Sequence, residues 1–323
     1  MAEDIDAVYT WVDGSDPAFR AAFRRHAGAM PHRYRDNGEL RCSLRSLWRH
    51  AAWVRRVHIL TNGQAPRWLD CSHPRIRLVP HAAVFPDADC LPTFNSHAIE
   101  TCLHRIPDLS GRFLYWNDDF FLCRDVRRED FFTPEGGQKV FADDFPLHSG
   151  ANLASARERA CAFTQTLLDE RWGEPASPRL LPSHAPQAYD RDVLSRLESM
   201  FAEEFQATRR HRFRSGDDVA LNVLYAYALL ECPAERGPHR LEVLPDRSRE
   251  YRFTMIEKRY LRTMHHFARI LWERPRFLCV NDDLEGVAAH HPLVLGLRVF
   301  HALHYYRRAP WERQTFSRYR SSQ

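Results

Sequence analysis

Apolar and polar residues follow two patterns in the first half of the chain. Residues 5–12 and 57–61 are apolar runs of strand length that end in turn-forming residues, as buried strands do. Between them, Leu40, Leu44 and Leu47 recur at the spacing of one helix face. This order of strand, helix and strand predicts an α/β fold with a parallel or mixed sheet, in which ligands bind beyond the carboxyl ends of the strands.

Acidic loops follow three of the predicted strands. The first strand ends at the polar residues 13–17, and residues 112–116 run into Asn117-Asp118-Asp119. A later strand at 276–280 runs into Asn281-Asp282-Asp283. These loops therefore lie on the edge of the sheet where we expect a ligand.

Asp118 and Asp119 are candidates for a metal site. Mg²⁺ prefers oxygen ligands and usually takes one or two carboxylates from the protein. An Asp-Asp pair by itself is more often a solvated turn. Here the flanking residues 115–116 and 120–121 are aromatic, which indicates the edge of a packed region where unpaired carboxylates are costly. The local pattern leaves both interpretations open.

The second half of the chain has a different character. Helical patterns at 156–170 and 217–231 predict a helical subdomain over 151–235, between an α/β part at 1–150 and a return to the sheet at 236–286. A basic, aromatic helical tail follows over 287–323. This tail is predicted either to close the core or to lie on a membrane surface as an amphipathic helix.

The composition limits the class of protein. The chain has 323 residues, 44% of them apolar and 27% charged, which is ordinary for a globular protein. Its formal charge is +4, and its cations are almost all arginine, whose planar guanidinium suits bidentate phosphate binding. The eight cysteines include no C-x-x-C pair, so we expect reduced thiols and a cytoplasmic protein. Neither a secretory signal nor a membrane-spanning run is expected, so any membrane contact would be peripheral, at the inner face.

Arg41 and Arg45 lie at positions i and i+4 near the start of a predicted helix. Two cations beside a helix N-terminus attract anions. In the alternative interpretation, Asp36 and Glu39 cap the helix and the arginines lie on its solvent face.

His184 and Arg214 are candidates for proton transfer and phosphate binding. His184 lies between Pro182 and Pro186, which restrict the backbone and could hold the imidazole as a general base, although a lone histidine is more often structural. Arg214 belongs to the basic segment 211–214, which is suited to phosphate oxygens but in other proteins is often only exposed surface.

Four ordered blocks together resemble the Stealth family. They comprise residues 6–16, residues 35–41 through 117–119, residues 184–186 through 211–214, and residues 279–282. The family contains bacterial capsular polysaccharide phosphotransferases and the lysosomal-enzyme N-acetylglucosamine-1-phosphotransferase. The resemblance implies a Rossmann-like, nucleotide-sugar-binding α/β sheet that is related to glycosyltransferase folds.

The resemblance also implies roles for residues at matching positions. It implies Asp118, His184 and Arg214 as catalytic residues, and Asp119 and Asp282 as ligands of Mg²⁺ or Mn²⁺. The loop after the first strand would bind the nucleotide, and Asn37, Arg41 and Arg45 would face the diphosphate. The full substrate-binding set is Trp11, Asp13, Gly14, Asp16, Asn37, Arg41, Arg45, Asn62, Asn117 and Asn281.

The expected reaction is transfer of a hexose 1-phosphate, or an N-acetylhexosamine 1-phosphate, from a UDP-sugar to a glycan hydroxyl. The products would be a phosphodiester and UMP, in the synthesis of a capsule or other cell-surface polysaccharide. One alternative is a metal-dependent glycosyltransferase that releases UDP. A non-catalytic nucleic-acid-binding protein is a weaker alternative, because acidic residues interrupt the basic ones along the chain.

Overall fold

The structure is a computed structural model that describes residues 3–28, 30–147, 153–235, 237–288 and 290–313. Its strands are β1 (Ile5–Thr10), β2 (Val57–Thr61), β3 (Ile76–Pro80), β4 (Arg112–Asn117), β5 (Phe120–Leu122), β6 (Lys139–Pro146), β7 (Leu180–Pro182), β8 (Gln187–Asp190), β9 (Arg240–Val243), β10 (Tyr251–Ile256) and β11 (Phe277–Asp282). Its helices are α1 (Pro17–Arg24), α2 (Glu39–His50), α3 (Ser96–Glu100), α4 (Ala156–Trp172), α5 (Arg191–Met200), α6 (Ala202–Arg210), α7 (Leu221–Glu231), α8 (Tyr260–Glu273) and α9 (Pro292–His304).

The main sheet has the strand order β3-β2-β1-β4-β8. β1 pairs in parallel with β2 and β4, while β8 runs antiparallel to β4. The central strands are buried on both faces, which explains why they are continuous apolar runs in the sequence. The structure confirms the predicted α/β class.

Asp6 connects the amino-terminal ends of β1, β2 and β4 through hydrogen bonds. Its side chain is fully buried, and Arg55 donates to it from Nε at 2.8 Å and Nη2 at 2.6 Å. The backbone N–H of Ser110 donates at 3.0 Å, and His58 Nε2 lies 3.2 Å away. Burial alone would raise the pKa of Asp6, but the hydrogen bonds from Arg55 and His58 outweigh it and lower the pKa.

The chain passes from the main sheet into a second sheet at residues 117–119. This second sheet has the order β10-β11-β5, with β11 parallel to β10 and antiparallel to β5. The backbone N–H of Val280 donates to the carbonyl of Asp119 at 3.2 Å. Because the Asp118-Asp119 pair lies at this crossing, its side chains reach the edges of both sheets.

The region predicted as helical contains α4 to α7, which supply much of a large apolar cluster. The same region also supplies strands β7 and β8, and β8 is an edge strand of the main sheet. Residues 96–105 form α3 followed by a 3₁₀ turn at Leu103–Arg105, and not one continuous helix. The Thr101 hydroxyl donates to the Ala98 carbonyl at 2.7 Å, a side-chain bond that competes with continuation of the helix.

The last described segment packs against the body of the protein. Leu293, Val294 and Leu297 of α9 are buried, and so is Trp311. Part of the predicted tail, residues 314–323, lies outside the described residues. In the described part of the chain, no helix combines the length and the apolar character needed to cross a bilayer.

The Asp6 cluster predicts a large stability effect. Asp6→Asn should lower the free energy of unfolding by about 2–4 kcal/mol, because Arg55 would lose its buried carboxylate partner. The deficit should be constant from neutral pH down to roughly pH 4, the usual pKa of an unfolded aspartate. Below that pH it should shrink, because a depressed native pKa gives stability that is lost as the pH falls. Urea unfolding at several pH values measures both effects.

The matched control is Asp4→Asn. Asp4 also pairs with Arg55, at 3.3 Å, but its side chain is 64% exposed, so its removal should cost little. Equal losses for the two variants would contradict the role assigned to Asp6.

Candidate active site

A cleft of about 580 Å³ opens at the carboxyl ends of β1, β4 and β11. It brings together residues that are far apart in the sequence. The sequence-predicted residues that line it are Trp11, Asn117, Asp118, Asp119, His184, Arg214, Asn281 and Asp282.

Asp119 is at the centre of a small polar cluster. Its Oδ2 accepts hydrogen bonds from Cys279 Sγ at 3.3 Å and Asn281 Nδ2 at 3.2 Å. His184 Nε2 lies 3.7 Å from the same oxygen. Burial would raise the pKa of Asp119, but interactions with His184, Cys279 and Asn281 outweigh it and lower the pKa. Asp119 is therefore an anion beside the imidazole.

His184 is held between two aromatic rings. The centroid of Phe120 lies 4.7 Å from that of the imidazole and the centroid of Phe253 lies 5.7 Å from it, and both rings are nearly perpendicular to the imidazole. The side chain is 26% exposed, so it can contact a molecule in the cleft while its ring plane stays fixed.

Further carboxylates surround Asp118. Burial, followed by the charges of Asp119 and Glu39, raises the pKa of Asp118 well above its usual range. Burial and the nearby Asp36 raise the pKa of Glu39 to about 8. Among the described residues, no side chain donates a hydrogen bond to the Asp118 carboxylate. Mutual repulsion of these groups makes the location favourable for a cation.

The oxygen atoms of Asp118 and Asp119 are suitable ligands for Mg²⁺ or Mn²⁺, which prefer hard donors. A second group, formed by Asp119, His184 and Cys279, has ligand atoms within 4.8 Å of one another, but its thiol is a soft donor. Burial and Asp119 raise the pKa of Cys279, so the thiol stays protonated. A hard cation therefore fits the Asp118-Asp119 side better.

Asp282, the other predicted metal ligand, lies in the cleft but has different partners. Its Oδ2 accepts from Asn37 Nδ2 at 3.0 Å and lies 3.3 Å from Arg35 Nη1. Alternate residues of a strand point to opposite faces, so Asp282 points away from the Asp119 side of β11, where Cys279 and Asn281 lie. The structure pairs Asp282 with Arg35 and Asn37 and not with Asp119.

Arg41 and Arg45 lie away from the cleft lining. Arg41 Nε donates to Glu312 at 2.7 Å, and Arg45 donates to the same carboxylate from Nε at 2.6 Å. Arg45 also donates to the Tyr305 carbonyl at 2.8 Å. We expected both arginines to face a diphosphate. They instead bind Glu312, which lies more than 260 residues away in the sequence, and so anchor the carboxyl-terminal segment.

The other predicted substrate-binding residues mostly shape the loops around the cleft. The Asp13 backbone N–H donates to Gln64 at 2.7 Å, and Asp16 caps α1. Gly14 has no room for a side chain, because a Cβ atom would lie 2.2 Å from the Tyr34 carbonyl oxygen. Asn62 lies in an exposed turn after β2. Trp11 differs from these, because its buried Nε1 has no hydrogen-bond partner among the described residues.

The loop that carries Arg214 is organised by Asp218. Asp218 is fully buried and accepts hydrogen bonds from Asn95 at 2.9 Å, His211 at 2.8 Å and the Ser215 backbone at 2.8 Å. Arg214 donates twice to Ser96 Oγ, at 3.1 and 2.7 Å. The guanidinium is thereby fixed at the wall of the cleft.

The sequence analysis overlooks Asp218 and Arg157. Arg157 lies in the first turn of α4 and lines the cleft, and its guanidinium forms no hydrogen bond or ion pair with any described residue. A capping box at Ser155 and Glu158 places it at a helix N-terminus, a location that favours anions. The capping pattern could have identified Arg157 from the sequence. Asp218 could have been found because it follows the basic segment 211–214 closely.

Three family models match the chain. Stealth protein conserved region 1 matches residues 3–25, conserved region 2 matches 33–140 and conserved region 3 matches 183–229. The chain belongs to the Stealth family. This confirms the resemblance of the first three sequence blocks, whereas residues 279–282 of the fourth block lie outside the matched segments. The matched segments contain Asp118, Asp119, His184 and Arg214.

Curated relatives include exopolysaccharide phosphotransferases. SCO6023 of Streptomyces coelicolor is 43% identical over 232 residues, which are 69% of this chain and 39% of that protein. SCO2594 of the same species is 36% identical over 305 residues, covering 90% of this chain and 49% of that protein. CpsY of Mycobacterium tuberculosis is 39% identical, with coverage of 70% and 44%. The chain spans between about two fifths and half of the length of these relatives.

Solved structures of glycosyltransferases show a distant likeness. Galactosyltransferase LgtC has a TM-score of 0.44 at 13% identity, covering 94% of this chain and 95% of its own. Mouse xyloside xylosyltransferase 1 has a TM-score of 0.40 at 12% identity, with coverage of 86% and 98%.

The carboxylate cluster predicts a pH-dependent response to Mg²⁺. The raised pKa values of Asp118 and Glu39 give the metal-free protein stability that is lost as the pH rises through those values. Mg²⁺ binds the ionised carboxylates, so 5 mM MgCl₂ should raise Tm more at pH 8.5 than at pH 6. Asp118→Asn should raise Tm in EDTA at pH 8.5 by about 2 °C or more and remove most of the Mg²⁺ effect.

The control variant is Asp144→Asn, which changes an exposed carboxylate outside the cleft lining. It should respond to Mg²⁺ like the wild type. An unchanged Mg²⁺ effect in Asp118→Asn would show that the cation binds elsewhere.

Proposed function

We propose that this chain transfers a hexose 1-phosphate, or an N-acetylhexosamine 1-phosphate, from a UDP-sugar to a hydroxyl of a glycan. The products are a phosphodiester and UMP, and the reaction belongs to the synthesis of an extracellular polysaccharide. The main support is the position of His184 beside the anionic Asp119, in a cleft that also contains Asp118 and Arg214. Membership of the Stealth family and the phosphotransferase names of the curated relatives also support it.

His184 acts as the general base. Its Nε2 takes the proton of the acceptor hydroxyl as that oxygen attacks the sugar-linked phosphorus of the donor. The 3.7 Å separation between Nε2 and Asp119 Oδ2 is long for a hydrogen bond, but the negative charge stabilises the imidazolium that forms. Phe120 and Phe253 keep the ring oriented towards the cleft.

Two arginines that line the cleft hold the phosphoryl group. Attack by the acceptor oxygen forms the new O–P bond and breaks the bridging P–O bond, so UMP leaves with that electron pair. Arg214, fixed by Ser96, and Arg157 donate to the phosphoryl oxygens as their charge grows. Asp118 and Asp119 would hold Mg²⁺ or Mn²⁺, which would supply charge neutralisation for the diphosphate.

The nucleotide occupies the side of the cleft formed by the loop after β1. Trp11 Nε1 is buried without a partner in the described structure, which gives a donor for an acceptor atom of the ligand. Asp282 positions the Arg35–Asn37 segment at the rim through its contacts at 3.3 and 3.0 Å.

The identity of the released nucleotide tests the proposal. With MgCl₂, a panel of UDP-sugars and hydroxyl-bearing oligosaccharides, we expect UMP by chromatography and a phosphodiester resonance by ³¹P NMR. Both products should disappear with EDTA. Release of UDP with a product that lacks phosphorus would identify a glycosyltransferase and overturn the proposal.

A His184 variant tests the general base. His184→Ala should lower the turnover rate by roughly two to four decades, the usual contribution of such a group, while donor binding measured by calorimetry changes little. His290→Ala, which alters an exposed histidine outside the cleft lining, should keep full activity. A loss below threefold in His184→Ala would rule out the role.

A further inference from the structure

The outer faces of α8 and α9 are unusually apolar. On α8, Leu261 is 83% exposed and Trp272 is 88% exposed, and on α9 Leu303 is 71% exposed. Isolated exposed apolar residues are common in soluble proteins, but contiguous patches usually mark a binding surface. The other large exposed apolar side chains of this surface are Tyr260, Leu271, Leu295, Val299 and Tyr306.

These side chains form one stripe on each helix. On α9, Leu295, Val299 and Leu303 follow at intervals of four residues, which places them on a single face, and the exposed Tyr306 follows the end of the helix. On α8, Leu261 and Trp272 lie on one face, three turns apart, and Tyr260 and Leu271 border the side that carries the buried Phe267. On α9, the side opposite to the stripe carries buried residues such as Leu297.

The two stripes adjoin each other. The ring of Phe267 on α8 stacks on the ring of Phe300 on α9, with their centroids 4.4 Å apart. Met264 of α8 packs against Gly296 of α9, where an added Cβ atom would lie 3.7 Å from the Met264 methyl group. Because these contacts advance in the same order along both helices, α8 and α9 run in the same direction. The exposed stripes then lie on the same, solvent-facing side of the contact. We call the combined surface the α8–α9 face.

Cations flank the α8–α9 face at both ends. Lys258 and Arg259 precede α8, and Arg307 and Arg308 follow α9; all four are exposed. Lys258, Arg259 and Arg308 form no ion pair with any residue that the structure describes. Residues 257–308 include nine Lys and Arg residues but only five Asp and Glu residues. The surface therefore combines apolar side chains with a positive border.

We propose that the α8–α9 face docks on a membrane surface that contains anionic lipids. Leucine and tryptophan side chains enter the boundary between headgroups and acyl chains, and arginine and lysine bind the negative headgroups. A second copy of the chain is a poorer partner: a two-fold contact places the same surface on both subunits, so the cations at its ends would meet like charges.

Vesicle sedimentation tests this proposal without any substrate, so its result is independent of the enzymatic activity. The wild-type chain should bind vesicles of 30% phosphatidylglycerol in phosphatidylcholine at least tenfold more tightly than pure phosphatidylcholine. The triple variant Leu261→Ser/Trp272→Ser/Leu303→Ser should lose at least tenfold in affinity, and its circular dichroism should be unchanged because the three side chains are exposed. The control Leu241→Ser/Val243→Ser alters exposed apolar residues of β9 and should bind normally.

Two further measurements separate the components of the surface. Lys258→Glu/Arg259→Glu/Arg308→Glu should remove the preference for phosphatidylglycerol, and Trp272→Phe should reduce fluorescence quenching by brominated lipids. Equal vesicle binding by the wild type and the triple variant would overturn the proposal. A wild-type dimer that the triple variant dissociates, without vesicle binding, would also overturn it and assign the face to self-association.

Discussion

The buried carboxylate of Asp6 sets the geometry on which the candidate site depends. It joins Arg55 before β2 and Ser110 before β4 to the second residue of β1. Because these strands are parallel, fixing their amino-terminal ends also fixes which residues meet at their carboxyl ends. Thr10 pairs with both Leu60 and Asn117, so Trp11 and Asp118 leave the sheet side by side. A polar interaction at one edge thus aligns the chemistry at the other.

The opposite edge concentrates negative charge that the protein only partly neutralises. Asp119 is stabilised by His184, Cys279 and Asn281, whereas Asp118 and Glu39 have raised pKa values. Such a cluster lowers stability when it is ionised, so its position in an open cleft, and not in the core, is significant. A bound cation would relieve the same repulsion, which would couple ligand binding to stability. In the proposed reaction, the arginines that line the cleft would contact the anionic donor and not the carboxylates.

The sequence was sufficient for the central strands and for the motif residues of the cleft. β1, β2 and β4 are buried on both faces, so their apolar runs identify them, and the family blocks identify Asp118, Asp119, His184 and Arg214. Pairings between distant segments could not be found in this way. Arg41 and Arg45 donate to Glu312, which lies near the other end of the chain. No local sequence pattern distinguishes an arginine that binds phosphate from one that binds a distant carboxylate. The separation of Asp282 from Asp119 follows from strand alternation, but only once Cys279 and Asn281 are known to face Asp119.

The cleft and the α8–α9 face arise from the same two strands. β10 ends beside Met255, which lines the cleft and is 40% exposed, and the chain reaches the exposed Leu261 six residues later. β11 ends at Asp282 in the cleft, and the segment from Leu284 to Val287 is held there by Arg35 before α9 begins. Both helices therefore start near the cleft rim. If the α8–α9 face lies on a bilayer, the rim is close to the lipid surface, where an acceptor anchored in that membrane can enter, while a soluble nucleotide-sugar enters from water. Strands β10 and β11, with the helices that follow them, would then connect the membrane-binding surface to the substrates that can enter the cleft.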